Sequence, residues 1–353
     1  MRRLALSLAL LAASAAGQNT PPAEAPAAEP SVLETLRAEA AAMRPLVQSS
    51  LALAFLQATA ALPEVQPRTV FSNADRSRWY TAQQAAALTA GERAALTERA
   101  LDASFYWNTR YGTPVAYARA LDLAAQRMAP APGAFSTMVD FGCGGLGADR
   151  MVASLGHDVV GIDVDPLLPA LYSEPGDTGA IPGSAPGSTG GTLTLVTGQW
   201  PGEPAVADAV RAALPQGVDL FLSKNTLKHG YLHPAEPVDP RRLVHLGVSD
   251  EEFLAAVVAA LRPGGLFMIY NVCPAPAAAG EPYIPWADGH CPFPREMLEA
   301  AGLQVLDFDV VDDEAVRAMG HALGWDEGRD AMDLENDLFA WFTVARRPAA
   351  GPK

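Results

Sequence analysis

The stretch Val139-Asp-Phe-Gly-Cys-Gly-Gly-Leu-Gly-Ala-Asp-Arg150 holds the residues of this chain best spaced for chemistry. Glycines 142, 144 and 147 lie between an apolar run that reads as a strand, Thr137 to Phe141, and a helical run with Ala148, Met151, Val152 and Leu155. Glycine lets backbone N–H groups come close to a ligand, and the start of a helix adds a favourable dipole. A second strand-like run, His157 to Asp163, ends on an acid that can accept both hydroxyls of a ribose. Strand, glycine turn, helix, strand and terminal Asp163 together describe a nucleotide-cradling βαβ unit. The competing reading is a tight strand–helix turn that holds no ligand. Asp140 stands two residues before Gly142, where dinucleotide sites want an apolar residue.

A second group of reactive side chains follows the apolar run Val218 to Ser223: Lys224, Asn225, Lys228 and His229. Open α/β sheets place ligands beyond the carboxyl ends of their strands, so this loop should face a reaction centre. His229 is the candidate general base, since an ordinary histidine titrates near ~6.5. Tyr231, His233 and Arg241 or Arg242 extend the patch; a solvated, mildly basic loop is the alternative. Further on, residues 271–294 carry Trp286, Asp288 and His290 among aromatics and prolines. They read as a substrate wall or, alternatively, as a packed Pro-rich loop. The cysteines, Cys143, Cys273 and Cys291, make no disulfide framework, although Cys273 and Cys291 could pair. No Cys–His spacing suggests zinc, so no metal is expected.

The elements that must position these residues are legible in outline. With 353 residues and 49% hydrophobic content, the chain can bury a sizeable core, and one α/β domain with an N-terminal helical extension fits its length. A formal charge of −15 disfavours a nucleic-acid surface and an anionic membrane, which leaves a small molecule as the expected partner. Oligomeric state is left open. Met1 to Gly17 has the charged start, short apolar core and small residues of a secretory signal, with an N-terminal helix or a wrong start as the alternative. The apolar run is too short to span a bilayer stably, and no other segment is long and apolar enough. The signal implies a periplasmic or secreted protein; without it the protein would be cytoplasmic. Residues 18–30 read as a disordered linker, 31–128 as the helical extension, 129–347 as the α/β domain and 348–353 as a tail. Ser31 to Ala61 has helical spacing. A capping box at Thr89–Glu92 starts a helix expected to run to about Phe105. Thr113 can cap a helix with Pro114 at its first position. Residues 166–191 read as a helical turn and a long irregular loop, Thr192 to Gly198 as a strand, and Ser249–Glu252 as a second capping box.

Asp140, Gly142, Gly144 and Asp163 form one set of matches to a known pattern. The run Leu261-Arg-Pro-Gly-Gly-Leu-Phe-Met-Ile-Tyr-Asn271 forms another, and a closing pair of strands at Leu303 to Asp309 and Leu338 to Ala345 completes them. In these residues the chain resembles the class I S-adenosylmethionine-dependent methyltransferases over roughly Ser104 to Arg347. The resemblance implies a doubly wound, mostly parallel, seven-stranded Rossmann-like sheet with S-adenosylmethionine at its carboxyl edge. It also implies methyl transfer to an acceptor, here a small molecule. By the same resemblance, Gly142, Gly144 and Gly147 make room for the cofactor, Asp163 holds its ribose and Asp140 positions its amino-acid end. Gln199 would bond the adenine and Trp200 stack on it, or Trp200 plugs the sheet edge instead. Tyr106, Arg110 and Tyr111 would cover the methionine end, or pack the helical cap. Asn225 and His229 fall in the catalytic loop, and Lys224, Lys228, Tyr231, Trp286 and Asp288 on the substrate side. The chain departs from the pattern at Leu146, which replaces a glycine, at Gln199, where an acid is usual, and at Lys228, where a glutamate is usual. Two other readings remain: an exported small-molecule-binding protein that keeps the fold without catalysis, and a dinucleotide-dependent oxidoreductase. An active methyltransferase would either stay inside or be exported folded, to which Arg2-Arg3 is a hint.

Overall fold

A computed structural model describes residues 30–109, 112–128, 135–329 and 331–349 of the protein. The expected signal, most of the expected linker, Arg110 and Tyr111 lie outside the described residues. From Val32 onward the described chain forms one unit. Its strands in chain order are β1 (Arg68–Ser72), β2 (Trp79–Thr81), β3 (Thr97–Leu101), β4 (Thr137–Phe141), β5 (Asp158–Asp163), β6 (Gly179–Ala180), β7 (Thr192–Thr197), β8 (Val218–Lys224), β9 (Leu261–Cys273), β10 (Gln304–Val311) and β11 (Phe339–Arg346).

The main sheet runs β10-β11-β9-β8-β4-β5-β7-β6. Strands β9, β8, β4, β5 and β7 are mutually parallel, while β11 pairs antiparallel with β9 and β10 with β11. The chain winds outward from β4 through β5 to β7, then crosses to β8 on the other side of β4. That reversal makes the carboxyl ends of β4 and β8 the switch point where an open α/β sheet takes its ligand. This is the doubly wound sheet with an antiparallel closing pair that the resemblance implies. It has eight strands rather than seven, because β6 lies antiparallel along the edge of β7. The segment expected to be an irregular loop therefore adds an edge strand after its helical turn, Leu168–Leu171.

Period-two alternation sorts β4 between two cores. Val139 and Phe141 point into one, with Phe221, Phe267 and the helices Pro204–Ala213 and Asp250–Ala260. Met138 points into the other, with Leu220, Leu222 and the helices Val32–Met43, Ser50–Ala58 and Tyr117–Arg127. Alternation therefore puts Asp140 on the second face, under the N-terminal helices. Buried Asp122 ties that layer together, its Oδ1 accepting the backbone N–H groups of Gln48 and Ser49 at 3.0 and 2.6 Å.

The N-terminal extension is not wholly helical. Both capping boxes form, at Thr89–Glu92 and Ser249–Glu252, but the first helix stops at Ala94. The chain then enters β3, which pairs antiparallel with β1, and Asp102 caps a new helix, Ala103–Trp107. Sheet pairing and a second cap override the helix expected to reach Phe105. Thr113 caps a short 3-10 turn at Pro114 that leads into Tyr117–Arg127. Cys273 and Cys291 are buried free thiols and do not pair.

Candidate functional site

A cleft of about 810 Å³ opens at the switch point. Its lining takes Gly142, Gly144, Ile162, Asp163, Val164, Gln199 and Glu203 from the ends of β4, β5 and β7, and Asn225, Thr226, Tyr231, Arg241, Arg242, His245 and Trp286 from the chain beyond β8. The glycine turn forms its floor. Gly142 has φ +77°, and a Cβ there would stand 2.0 Å from Thr226 Oγ1. Thr226, in the loop after β8, donates its hydroxyl to the Gly142 carbonyl at 3.2 Å, so turn and loop close on each other. Asp163 ends β5 at the rim. Its Oδ2 accepts the Gly144 N–H at 2.8 Å and its Oδ1 the Asp165 N–H at 2.9 Å, which fixes the carboxylate against the turn. Gln199 donates its backbone N–H to Glu203 Oε1 at 2.9 Å, bringing an acid into the cleft four residues beyond the expected position.

Asn225 has φ +66°, a left-handed conformation that asparagine tolerates better than most residues. Its Oδ1 accepts the Val272 N–H at 2.7 Å, so the side chain clamps the loop after β8 to the end of β9. Trp200 touches the cleft but is buried among Phe141, Phe221 and Phe253. Its ring packs in the core against β4 and β8, at the middle of the sheet and not at its edge.

Several other residues expected at the site stand elsewhere. Gly147 faces the N-terminal extension: a Cβ there would meet the Trp107 carbonyl oxygen at 2.1 Å, so close packing of helix on extension requires this glycine. Tyr106 is buried and donates its hydroxyl to Asp177 Oδ1 at 2.9 Å. Lys228 is also buried; its ammonium donates to the carbonyls of Val272 at 2.7 Å and Trp286 at 3.0 Å, pinning the following loop. The cleft lining does not include His229, whose Nδ1 lies 2.8 Å from Asp288 Oδ2. Asp288 also meets His290 Nδ1 at 2.9 Å. Burial opposes ionisation of Asp288, but its bonds to His290 and His229 hold its carboxyl below the usual range. These three form a cluster beside the cleft wall, and the imidazole that lines the cleft is His245.

Beneath the glycine turn lies a buried group of ionisable residues. Asp140 on β4 and Asp149 in the helix Gly147–Ala153 are fully buried, and Tyr117 and Lys224 nearly so. Asp149 lies over Gly161, the partner of Asp140 in the β4–β5 ladder. Among the described residues no backbone or side-chain N–H reaches either carboxyl group. Lys224 continues the face of Leu222, the β8 partner of Asp140, and its ammonium lies 5.0 Å from the Tyr117 ring centroid. Burial pushes Asp140 up to about 7, against the lowering influence of Tyr117, Asp149 and Lys224. Burial and the Asp140 charge push Asp149 well above the carboxyl range. Burial lowers Lys224 to about 8, although Asp140 opposes the shift. Lys224 therefore belongs to this buried group and not to the cleft lining.

Spacing alone missed Thr226, Glu203 and His245. The signals were a hydroxyl after Asn225, an acid one helical turn beyond Gln199 and a histidine close after Arg241-Arg242.

No protein-family profile matches the chain, and no curated protein sequence does. Among solved structures it is similar to the [4+2]-cyclase SpnF, at 16% identity over 91% of this chain and 97% of that one, with a TM-score of 0.38. It is also similar to phosphoethanolamine N-methyltransferase 2 of Haemonchus contortus, at 13% identity over 83% and 74% of the chains, with a TM-score of 0.36. Geranyl diphosphate C-methyltransferase of Streptomyces coelicolor A3(2) is similar at 13% identity over 65% and 78%, with a TM-score of 0.36.

Proposed function

We propose that the cleft binds S-adenosylmethionine and that the protein transfers its methyl group to a small-molecule acceptor. The observation that carries this reading is the Asp163 carboxylate, fixed beside the Gly142–Gly144 turn at the switch point of the sheet. The donor set fits the cofactor. Asp163 would accept the ribose hydroxyls. Ile162 and Val164 offer an apolar face to the base, and Gln199 with Glu203 a polar edge. Asp140 lies buried behind the turn, below the place of the amino-acid end. The bound cofactor supplies a methyl group already activated by the sulfonium charge.

What remains for the chain is alignment and exclusion of water. Thr226 and Asn225 fix the loop after β8 at the cleft, and Lys228 pins Trp286, another lining residue, through its carbonyl. An acceptor that must lose a proton would find His245 within the cleft.

Titration calorimetry with S-adenosylmethionine and S-adenosylhomocysteine tests the reading. Saturable binding of both is expected. Asp163→Ala should weaken it by roughly ten- to a hundredfold, the range for charge-assisted hydrogen bonds. Absence of saturable binding would favour a small-molecule-binding protein that keeps this fold.

A further inference from the structure

The charges of the cleft lining come from different parts of the chain. Of the two lining acids, Asp163 ends β5 and Glu203 follows β7. The chain beyond β8 contributes Arg241, Arg242 and His245 to the lining together with Tyr231, Leu243, Val244 and Trp286, and among the described residues it adds no acidic side chain there. In a chain with 25 Lys and Arg against 40 Asp and Glu, composition alone does not produce such a surface. The two arginines are held differently. Arg241 pairs with Asp239 at 2.5 Å. Arg242 lies over the Trp286 ring, 5.6 Å from its centroid, and among the described residues no carboxylate forms an ion pair with it. An arginine stacked on an indole keeps its N–H edge available for a planar or tetrahedral anion. The Tyr231 ring is backed in the same manner by the buried Lys228 ammonium, 5.7 Å from its centroid. Two aromatic walls, each with a cation against it, thus face the space where the acceptor must lie.

We propose that the acceptor is an organic anion. Its apolar or aromatic body would lie against Tyr231, Leu243, Val244 and Trp286, and its carboxylate or phosphate against Arg242 and His245. This rests on the methyl-transfer reading of the cleft and adds to it the class of substrate. The charge would orient the acceptor, fixing which of its atoms faces the methyl donor.

The full chain, with and without saturating S-adenosylhomocysteine, is titrated with benzoate, phenyl phosphate, benzyl alcohol, benzylamine and inorganic phosphate. The expected result is that benzoate or phenyl phosphate binds at least about tenfold tighter than benzyl alcohol, with benzylamine weakest, as a single charge-assisted contact allows. The stronger of the two anions identifies the carboxylate or the phosphate as the group recognised. Arg242→Gln should remove most of that preference, and Arg242→Lys should restore part of it. Equal binding of benzyl alcohol and the anions overturns the proposal, as does an anion preference that Arg242→Gln leaves intact. Inorganic phosphate binding as tightly as phenyl phosphate also overturns it, because the aromatic body would then contribute nothing. S-adenosylhomocysteine binding without anion preference sinks this inference alone, whereas anion preference without S-adenosylhomocysteine binding counts against the methyl-transfer reading.

Discussion

Asp140→Asn is the perturbation that most directly probes the buried group under the glycine turn. Asp140 is fully buried and among the described residues no N–H reaches its carboxyl, so its ionisation in the folded protein is costly. Its pKa rises from 3.8 to about 7, chiefly through burial. A carboxyl whose folded pKa is raised makes folding most favourable while it is protonated. That contribution is complete below the unfolded value of 3.8 and is lost as pH climbs through about 7. At 1.36 kcal/mol per unit, the loss is roughly 4 kcal/mol across the window. Asparagine has nearly the same shape and no charge to bury, so the variant should escape this loss.

The assay is urea unfolding of wild type and Asp140→Asn at half-unit steps from pH 4 to pH 9. The stability of the wild type minus that of the variant cancels the titrating groups remote from this buried cluster to first order, and leaves Asp140 together with the Asp149 and Lys224 titrations that its charge shifts. The difference should fall steadily with rising pH and level off above about 7. Lys224→Met sharpens the test. Its ammonium lowers Asp140, so removing it should move the plateau upward by about one unit, the lower end for a neighbouring opposite charge. A difference curve flat to within about 1 kcal/mol would refute the reasoning, since a raised pKa and a pH-independent contribution are incompatible.

Other consequences follow from the packing. Gly147→Ala should destabilise the fold by roughly 1–3 kcal/mol, because its Cβ meets a backbone oxygen, and should leave S-adenosylhomocysteine affinity in the folded fraction little changed. Normal stability with lost affinity in a paired melting and calorimetry experiment would return Gly147 to the cofactor site. Lys228→Met leaves the Val272 and Trp286 carbonyls without their ammonium, so backbone amide exchange should quicken in residues 274–286. Unchanged exchange there would show that the loop does not depend on the pin. N-terminal sequencing of the protein recovered from its natural host should begin near Ala16 to Gln18 if the leader is removed. A mature chain starting at Met1 would discard the export reading.

The local signals in the chain translated well into elements. The glycine turn after an apolar run, the capping boxes at Thr89 and Ser249, and the Leu261 to Asn271 strand all act through neighbours only a few residues away. Where a local signal competed with distant pairing, the distant partner won: β3 cuts short the helix expected from Thr89 because β1 is there to pair with it. The edge strand β6 arises in the same way from β7.

The site divides along the same line. The sequence by itself determined the βαβ core, the glycine turn at its head and the acid at the end of β5, because strand period, turn chemistry and capping are short-range properties. Only the tertiary structure decided which way each charged side chain turned and what it met. Asp140 falls on the face covered by the helix Tyr117–Arg127, so it is buried beneath the turn. Lys228 turns inward to the carbonyls of Val272 and Trp286, while His229 beside it turns to Asp288 outside the cleft lining. Trp200 fills the core, and Arg242 stacks on Trp286 in the cleft lining. Spacing along the chain does not carry that information, because the burial and partner of a side chain are set by sheet register and by helices and loops packed from remote sequence.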